Sequence, residues 1–544
     1  MPPQLPHKDS TPSCVSDVPH TTPARDLSFY AALLFVVLPV WSVPPLSWIY
    51  VLCTLHTGSL WTLSGVQMAW FACALAEVFF SLYHFNLARF VTGPCPIPAG
   101  DPAELQAAFR RVTKAGLSSL SDDAFDEETL DVSRPGSPAE VVEQLDRDDP
   151  RAVDFRNSLR TWFHKVPWSH IRKQEMYQWL YWSIFNTHLP PLPTLSPARR
   201  AVLEDVLSLV EKRSGTAIPP GTNPTARPIL LTLDPVRVAW RPLAWYVLVA
   251  LGNRALRAWF VRRRGMRHGV KDGIEYLLYV PDGYAFETGA APVVFVHGLG
   301  LGLVQYQMIL SRLLYELRDR PLLVPLQPHV SQQIFHRDFL APKGRQETAA
   351  ALRALLVELG WAPADGGAAG GRGAKAREGR ITLMSHSNGS FVHAWLLKAH
   401  PELFRRSCFV DPVTFCSWEG DVCYNFIHRP CSTGLHLLMR YFVSTELGVA
   451  NVLQRRFDWA SNSLWYEEIP HARDPRRTRF FLGGSDAILA APRVRRYLAA
   501  HGVRDGLWYD PAGHHGQALF PDSAGYRELI GWLTEAESAP MRAR

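Results

Sequence analysis

Between Leu27 and Ala76 the chain carries no Asp, Glu, Lys or Arg, fifty consecutive residues without a formal charge. Such a run cannot be the surface of an ordinary soluble domain, and a helix that crosses a bilayer needs only about 20 apolar residues. The stretch therefore predicts two membrane-spanning helices, over 28–53 and 60–84. Pro39, Pro44 and Pro45 interrupt the first, which predicts either one kinked helix or a re-entrant pair of short ones. Glu77 falls inside the second and has to face a helical partner or lie near the interface. A secretory leader would begin with a short basic segment, whereas residues 1–26 set Lys8 and Arg25 against Asp9, Asp17 and Asp26. The expected location is thus an integral one with about two passes, compatible with an endomembrane such as the endoplasmic reticulum. The turn between the helices holds no charge that would set their orientation.

The remaining composition narrows the partners. The net charge of +7 is spread along 544 residues, and no lysine run interleaved with aromatics is present, so nucleic acid is not an expected partner. Basic character together with 18 tryptophans suits a membrane surface. The eight cysteines, at 14, 53, 73, 95, 408, 416, 423 and 431, form no CxxC pair and lack zinc-site spacing. They read as reduced thiols, with a disulfide inside the 416–431 group open to a lumen-facing segment. No metal and no organic cofactor is expected.

Behind a polar tail (1–26) and the membrane region (27–95), residues 96–270 form a helical, partly linker-like region. The polar, acidic stretch 101–160 reads as solvated linker with one helix at 102–115. In 162–185 the residues Ile171, Trp179, Trp182 and Phe185 fall near one side of a helix. Ser196 as N-cap, Pro197 in the first turn and Gly215 past the end frame another. Residues 236–264 alternate apolar blocks with arginines. Their longest apolar run is too short to span, which leaves a helix in the bilayer interface or one packed on its neighbour.

From residue 271 to 540 the texture changes to short apolar strands alternating with helices, which builds an α/β domain with a mostly parallel sheet. Strands are expected at 274–281, 292–298, 321–327, 381–387, 407–413, 479–486 and 506–510. A low-complexity loop (364–380) and a helical lid (414–475) interrupt the alternation.

Within this half, ITLMSHSNGS (381–390) puts Ser387 where a buried strand meets a helix. A tight turn there tolerates only small neighbours, which Ser385 and Gly389 supply, giving S-x-S-x-G in place of the usual G-x-S-x-G. Upstream, His297-Gly298-Leu299-Gly300 follows a strand, and the N–H groups of Leu299 and Asn388 are candidate oxyanion donors. Downstream, Asp486 ends a strand where a carboxylate could orient a histidine, and Asp411 ends the preceding strand as a rival acid. His514 and His515 share the loop after the last strand, and either could be the base. His386, next to the candidate nucleophile, reads as a pocket-wall residue.

On the strength of HGLG, SHSNGS, GGSD and GHHG in this order, residues 274–363 and 381–535 resemble the α/β-hydrolase fold superfamily. The resemblance implies acyl-transfer chemistry, usually ester hydrolysis, by Ser387, Asp486 and a histidine. His515 is favoured because Leu519 follows it by four, as an apolar residue often does in that fold. With the membrane segments and an aromatic lid, a lipid or other long-chain ester is the expected substrate. An acyltransferase with the same acyl-enzyme and a catalytically silent scaffold are the alternatives. The oligomeric state is not legible.

Overall fold

The computed structural model describes residues 16–18, 21–95, 102–114, 142, 144–363 and 379–535. The acidic run 121–131, Cys14 and most of the 364–380 loop lie outside the described residues.

Eight strands form one sheet: β1 Arg267–Lys271, β2 Ile274–Tyr279, β3 Val293–Val296, β4 Leu322–Pro325, β5 Ile381–His386, β6 Phe404–Val410, β7 Thr478–Gly483 and β8 Leu507–Asp510. Their spatial order is β1-β2-β4-β3-β5-β6-β7-β8. The two pairings made by β2 are antiparallel and the rest are parallel. Every residue of β3, β4, β5 and β7 is buried, as strands covered on both faces require, and this is why they read as continuous apolar runs. β1 did not register as a strand in the sequence. It is an exposed edge, RHGVK, paired to β2 through the two-residue turn Asp272-Gly273, both with positive φ. The Asp-Gly dipeptide was the available signal.

One face of the sheet packs on helices Leu243–Arg264, Leu303–Glu316 and Ala524–Thr534, through Phe260, Leu310, Leu313, Leu529 and Trp532. The other face packs on Arg345–Glu358 and Gly389–Ala399 and continues into the layer before the sheet, through Phe109, Phe155, Trp162, Trp179, Trp182 and Val206. The stretch 101–160 is therefore not simply a solvated linker. Helix Pro102–Lys114 buries Leu105, Phe109 and Val112, and helix Pro150–Leu159 buries Val153, Phe155 and Leu159. Its polar look misleads because buried arginines there serve backbone carbonyls: Arg156 donates to Ser214 O (2.5 Å) and Arg160 to Ser16 O (2.7 Å), while Arg213 of helix Pro197–Ser214 donates back to Arg151 O (2.8 Å). Helix Pro197–Ser214 has the expected ends, with the Ser196 hydroxyl accepting from Arg199 N and Gly215 left-handed.

Two helices are long and apolar enough to cross a membrane, Leu27–His56 and Gly65–Val91. The first is one continuous helix rather than a re-entrant pair. A π-helical turn at Leu33–Val37 lies just upstream of Pro39, and the Ser42 hydroxyl donates to Pro39 O (2.9 Å). The helices pack on each other through Val51, Phe71 and Val78. Glu77 turns toward the sheet domain, where it accepts from Leu243 N (2.7 Å) at the start of helix Leu243–Arg264. That helix buries Tyr246, Val249, Asn253 and Phe260 and exposes Leu248 and Leu251, so it is both packed and apolar outward. The 414–475 insertion folds into short helical pieces at 421–428, 434–444, 447–455 and 459–462. Its Gly434 N–H donates to Ser28 Oγ (2.8 Å) at the head of the first apolar helix. Cys416, Cys423 and Cys431 are free thiols.

Candidate active site

The C-terminal ends of β3, β5, β6, β7 and β8 converge on one point, where ligands are bound in open parallel sheets. After β5 the chain turns sharply into helix Gly389–Ala399, and Ser387 sits on that turn with φ 53°. A left-handed serine is strained, and the strain is held by its surroundings. Ser387 N–H donates to Val410 O (3.0 Å), and the Ser390 hydroxyl donates to Ser387 O (2.7 Å) while accepting from Val413 N (3.1 Å). Glycine is required at Gly389 on this turn and at Gly298 on the turn facing it. A Cβ on Gly389 would lie 2.3 Å from Val296 O, and one on Gly298 would lie 2.9 Å from Ser387 Cβ. Ser385 replaces the usual glycine because its hydroxyl points into the core, 2.8 Å from His393 Nδ1.

His515 Nε2 lies 2.8 Å from Ser387 Oγ, and His515 Nδ1 lies 2.5 Å from Asp486 Oδ2. The Asp486 side chain is fully buried, and its other oxygen accepts from Ile488 N (2.6 Å) and Leu489 N (3.1 Å). His514 points elsewhere, with Nδ1 3.3 Å from Ser485 O. Asp411 does not bond to the histidine. Its two oxygens accept from Gly483 N (2.9 Å) and Gly516 N (2.6 Å), so it braces the histidine loop against β7.

Burial alone would push the His515 imidazole down, but the charge and hydrogen bond of Asp486, with help from Asp411, raise it to about 9. Burial, with the charge of Asp486, pushes the Asp411 carboxyl up to about 6 against the opposing pull of His515 and two N–H donors. Asp411, Asp486 and His515 bring metal-type ligand atoms within 4.8 Å of one another. Both nitrogens of His515 and both oxygens of Asp411 are already in hydrogen bonds, however, which is a proton-handling arrangement rather than a coordinating one.

The Leu299 and Asn388 N–H groups have no acceptor among the described residues, and both residues line the cavity over Ser387. His297 is buried, with Nδ1 2.9 Å from Gly298 O and Nε2 3.3 Å from Gln327 N. Gly300 has φ 143° and donates to Val330 O (2.9 Å). His386 is not among the residues lining the cavity. It lies behind the nucleophile as a neutral ring, pushed well down by burial, with Nδ1 2.6 Å from the Tyr306 hydroxyl. That hydroxyl also accepts from Gly298 N (2.9 Å), so Tyr306 ties the 298–299 turn to the residue preceding Ser387. Tyr306 was invisible in the sequence because it reads as one more apolar position of helix Leu303–Glu316.

The cavity beside Ser387 holds about 590 Å³, its open mouth included. Its walls are Leu299, Phe391, Val413 and Ile488 from the sheet body, Val422, Cys423, Phe426, Ile427, Leu453 and Phe457 from the insertion, and Leu231 from the preceding layer. Glu419 also lines it, but its carboxylate is held by the Arg493 guanidinium (2.5 and 2.9 Å).

No family profile and no curated protein sequence matches the chain. Among solved structures it is similar to a carboxylesterase from Bacillus subtilis (12% identity, 54% of this chain and 98% of that one, TM-score 0.32). It is also similar to a membrane phospholipase A described as a bacterial virulence factor (14% identity, 54% and 94%, TM-score 0.32). A third is an alpha/beta hydrolase enzyme from a lagoon-sediment metagenome (14% identity, 49% and 96%, TM-score 0.28). Likeness at this level says nothing about substrate or mechanism.

Proposed function

We propose that the chain is a membrane-bound serine hydrolase that cleaves a carboxylic ester of a lipid or other long-chain apolar compound through an acyl-enzyme. The observation that carries this reading is the hydrogen-bonded line from Asp486 through His515 to Ser387 on a strained strand-to-helix turn. His515 Nε2 takes the Ser387 proton as Oγ attacks the ester carbonyl. The carbonyl oxygen becomes an oxyanion opposite the N–H groups of Leu299 and Asn388, each worth about 3 kcal/mol in the transition state. Asp486 keeps the Nδ1 proton in place and stabilises the imidazolium. The leaving alcohol takes the proton from His515, and water repeats the sequence to free the acid. Apolar walls supplied largely by the 414–475 insertion suit an acyl chain and exclude bulk water.

Labelling by a fluorophosphonate, which reacts with activated serines, tests this. The label is expected on the native chain and on Ser385→Ala and Ser390→Ala, and lost in Ser387→Ala. Persistence in Ser387→Ala would sink the assignment.

A further inference from the structure

Each apolar helix is longer than its contact with the other. The catalytic body packs against the first at Ser28 and Ala32, beside Gly434, and at Trp41, stacked on Trp240 at 5.2 Å. It packs against the second at Glu77, bonded to Leu243, and at Phe80, near Tyr246 and Phe335. Over this same length the side turned away from the body remains apolar and bare, with Phe35 80%, Phe79 64% and Phe90 62% exposed. Charges mark the end of the apolar sleeve: Arg25 and Asp26 before the first helix and Arg89 near the end of the second. From Gly65 to Asn86 the second helix rises about 33 Å, close to the ~30 Å hydrocarbon thickness. Placing that length across a bilayer puts Glu77 about 14 Å inside the near boundary, close to the midplane.

We infer that the catalytic body is seated within one leaflet of the bilayer, through a shoulder formed by Trp240, Leu248, Leu251, Phe335 and Leu435, rather than tethered above it. The inference rests on the reading of the hairpin as membrane-inserted. Three features agree with it. The shoulder residues are exposed apolar side chains on elements that touch the hairpin or follow directly from its contacts. Glu77, a carboxylate that could not face hydrocarbon, is buried against the body's own backbone N–H. Beyond Leu251, helix Leu243–Arg264 ends in exposed Arg262, Arg263 and Arg264, placed to meet phosphate head groups as the helix leaves the apolar layer. The occupant of the shoulder is therefore the acyl-chain region of one leaflet.

Photo-crosslinking distinguishes this from a tether. Benzoylphenylalanine is placed singly at Leu52, Leu248, Leu435 or Tyr315 of the full chain, reconstituted in phosphatidylcholine–phosphatidylserine vesicles. Tyr315 is exposed in the last turn of helix Leu303–Glu316, beside Arg318, and is not a shoulder residue. Irradiation is expected to give lipid adducts, read by mass shift, at Leu52, Leu248 and Leu435 and none at Tyr315. Adducts at Leu52 alone would overturn the seating and leave the hairpin inserted. Absence at Leu52 would overturn membrane insertion itself and the seating with it. Equal adducts at Tyr315 would also overturn the seating, because the lipid contact would not be confined to this face.

Discussion

At the residue scale the site makes a pH prediction with a definite sign. His515 must be neutral to accept the Ser387 proton, and its imidazole is raised to about 9. The rate constant kcat/KM should therefore climb about tenfold per pH unit below that value and level off above it. The same raised imidazole adds stability that is complete below the unfolded value near 6.5 and is lost as pH rises through about 9. Asp486→Asn should move the limb toward the unperturbed range and lower the plateau by about ten-thousandfold. Asp411→Asn should move the limb less, and its main effect should be on stability, because an amide cannot accept well from both Gly483 and Gly516. A pH profile flat from 6 to 9 in the native chain would contradict the raised imidazole. Tyr306→Phe removes the hydroxyl joining Gly298 N to His386 Nδ1. It should cost about 1–3 kcal/mol of stability, and it should lower kcat more than it raises KM, since the loosened turn carries the Leu299 N–H. Much of this geometry was legible: Ser387 follows the end of β5, and Asp486 and His515 lie in the loops after β7 and β8, where the sequence shows apolar runs giving way to small and polar residues. What separates Asp486 from Asp411, or His515 from His514, is the direction of one side chain, and no local pattern encodes that.

Elements show where reading fails and why. Strands buried on both faces announce themselves by apolarity, whereas β1 is charged and exposed and is held by its Asp272-Gly273 turn, its ladder to β2 and the ion pair of Lys271 with Glu358 (2.8 Å). The stretch 101–160 reads as linker because it is polar and partly acidic, yet Arg156 and Arg160 in it are buried on carbonyls from distant segments. Glu77 illustrates the reverse case, in which the sequence demanded a partner without naming it. The partner is the first N–H of helix Leu243–Arg264. Glu77→Ala should therefore lower thermal stability in detergent by about 1–3 kcal/mol, the penalty of an orphaned buried N–H, while Glu77→Gln, which keeps an acceptor, should recover most of the loss. Equal melting temperatures for the two variants would show that the cap is unimportant.

For the whole molecule, the apolar hairpin is part of the fold and not an appendage. Phe80 and Val91 share a buried cluster with Tyr246, Ile334, Phe339, Leu447 and Ala450, and Arg455 donates to Val91 O (3.0 Å). Alkaline carbonate should leave the full chain in the membrane pellet. Removal of residues 1–95 should yield insoluble protein rather than a free catalytic domain, because it strips the cover from that cluster. A truncated chain that is soluble, monomeric and reactive toward fluorophosphonate would refute this. The bond between Ser28 and Gly434, and that between Glu77 and Leu243, also impose an order in time. Their partners are separated by 406 and 166 residues. At about 5–20 residues per second of synthesis, Glu77 waits roughly 10–30 s for its N–H donor, and Ser28 waits roughly 20–80 s. The hairpin must therefore persist through that interval as an unfinished surface, with an uncompensated carboxyl in its second helix. It is made before the sheet, which is built onto it as it emerges.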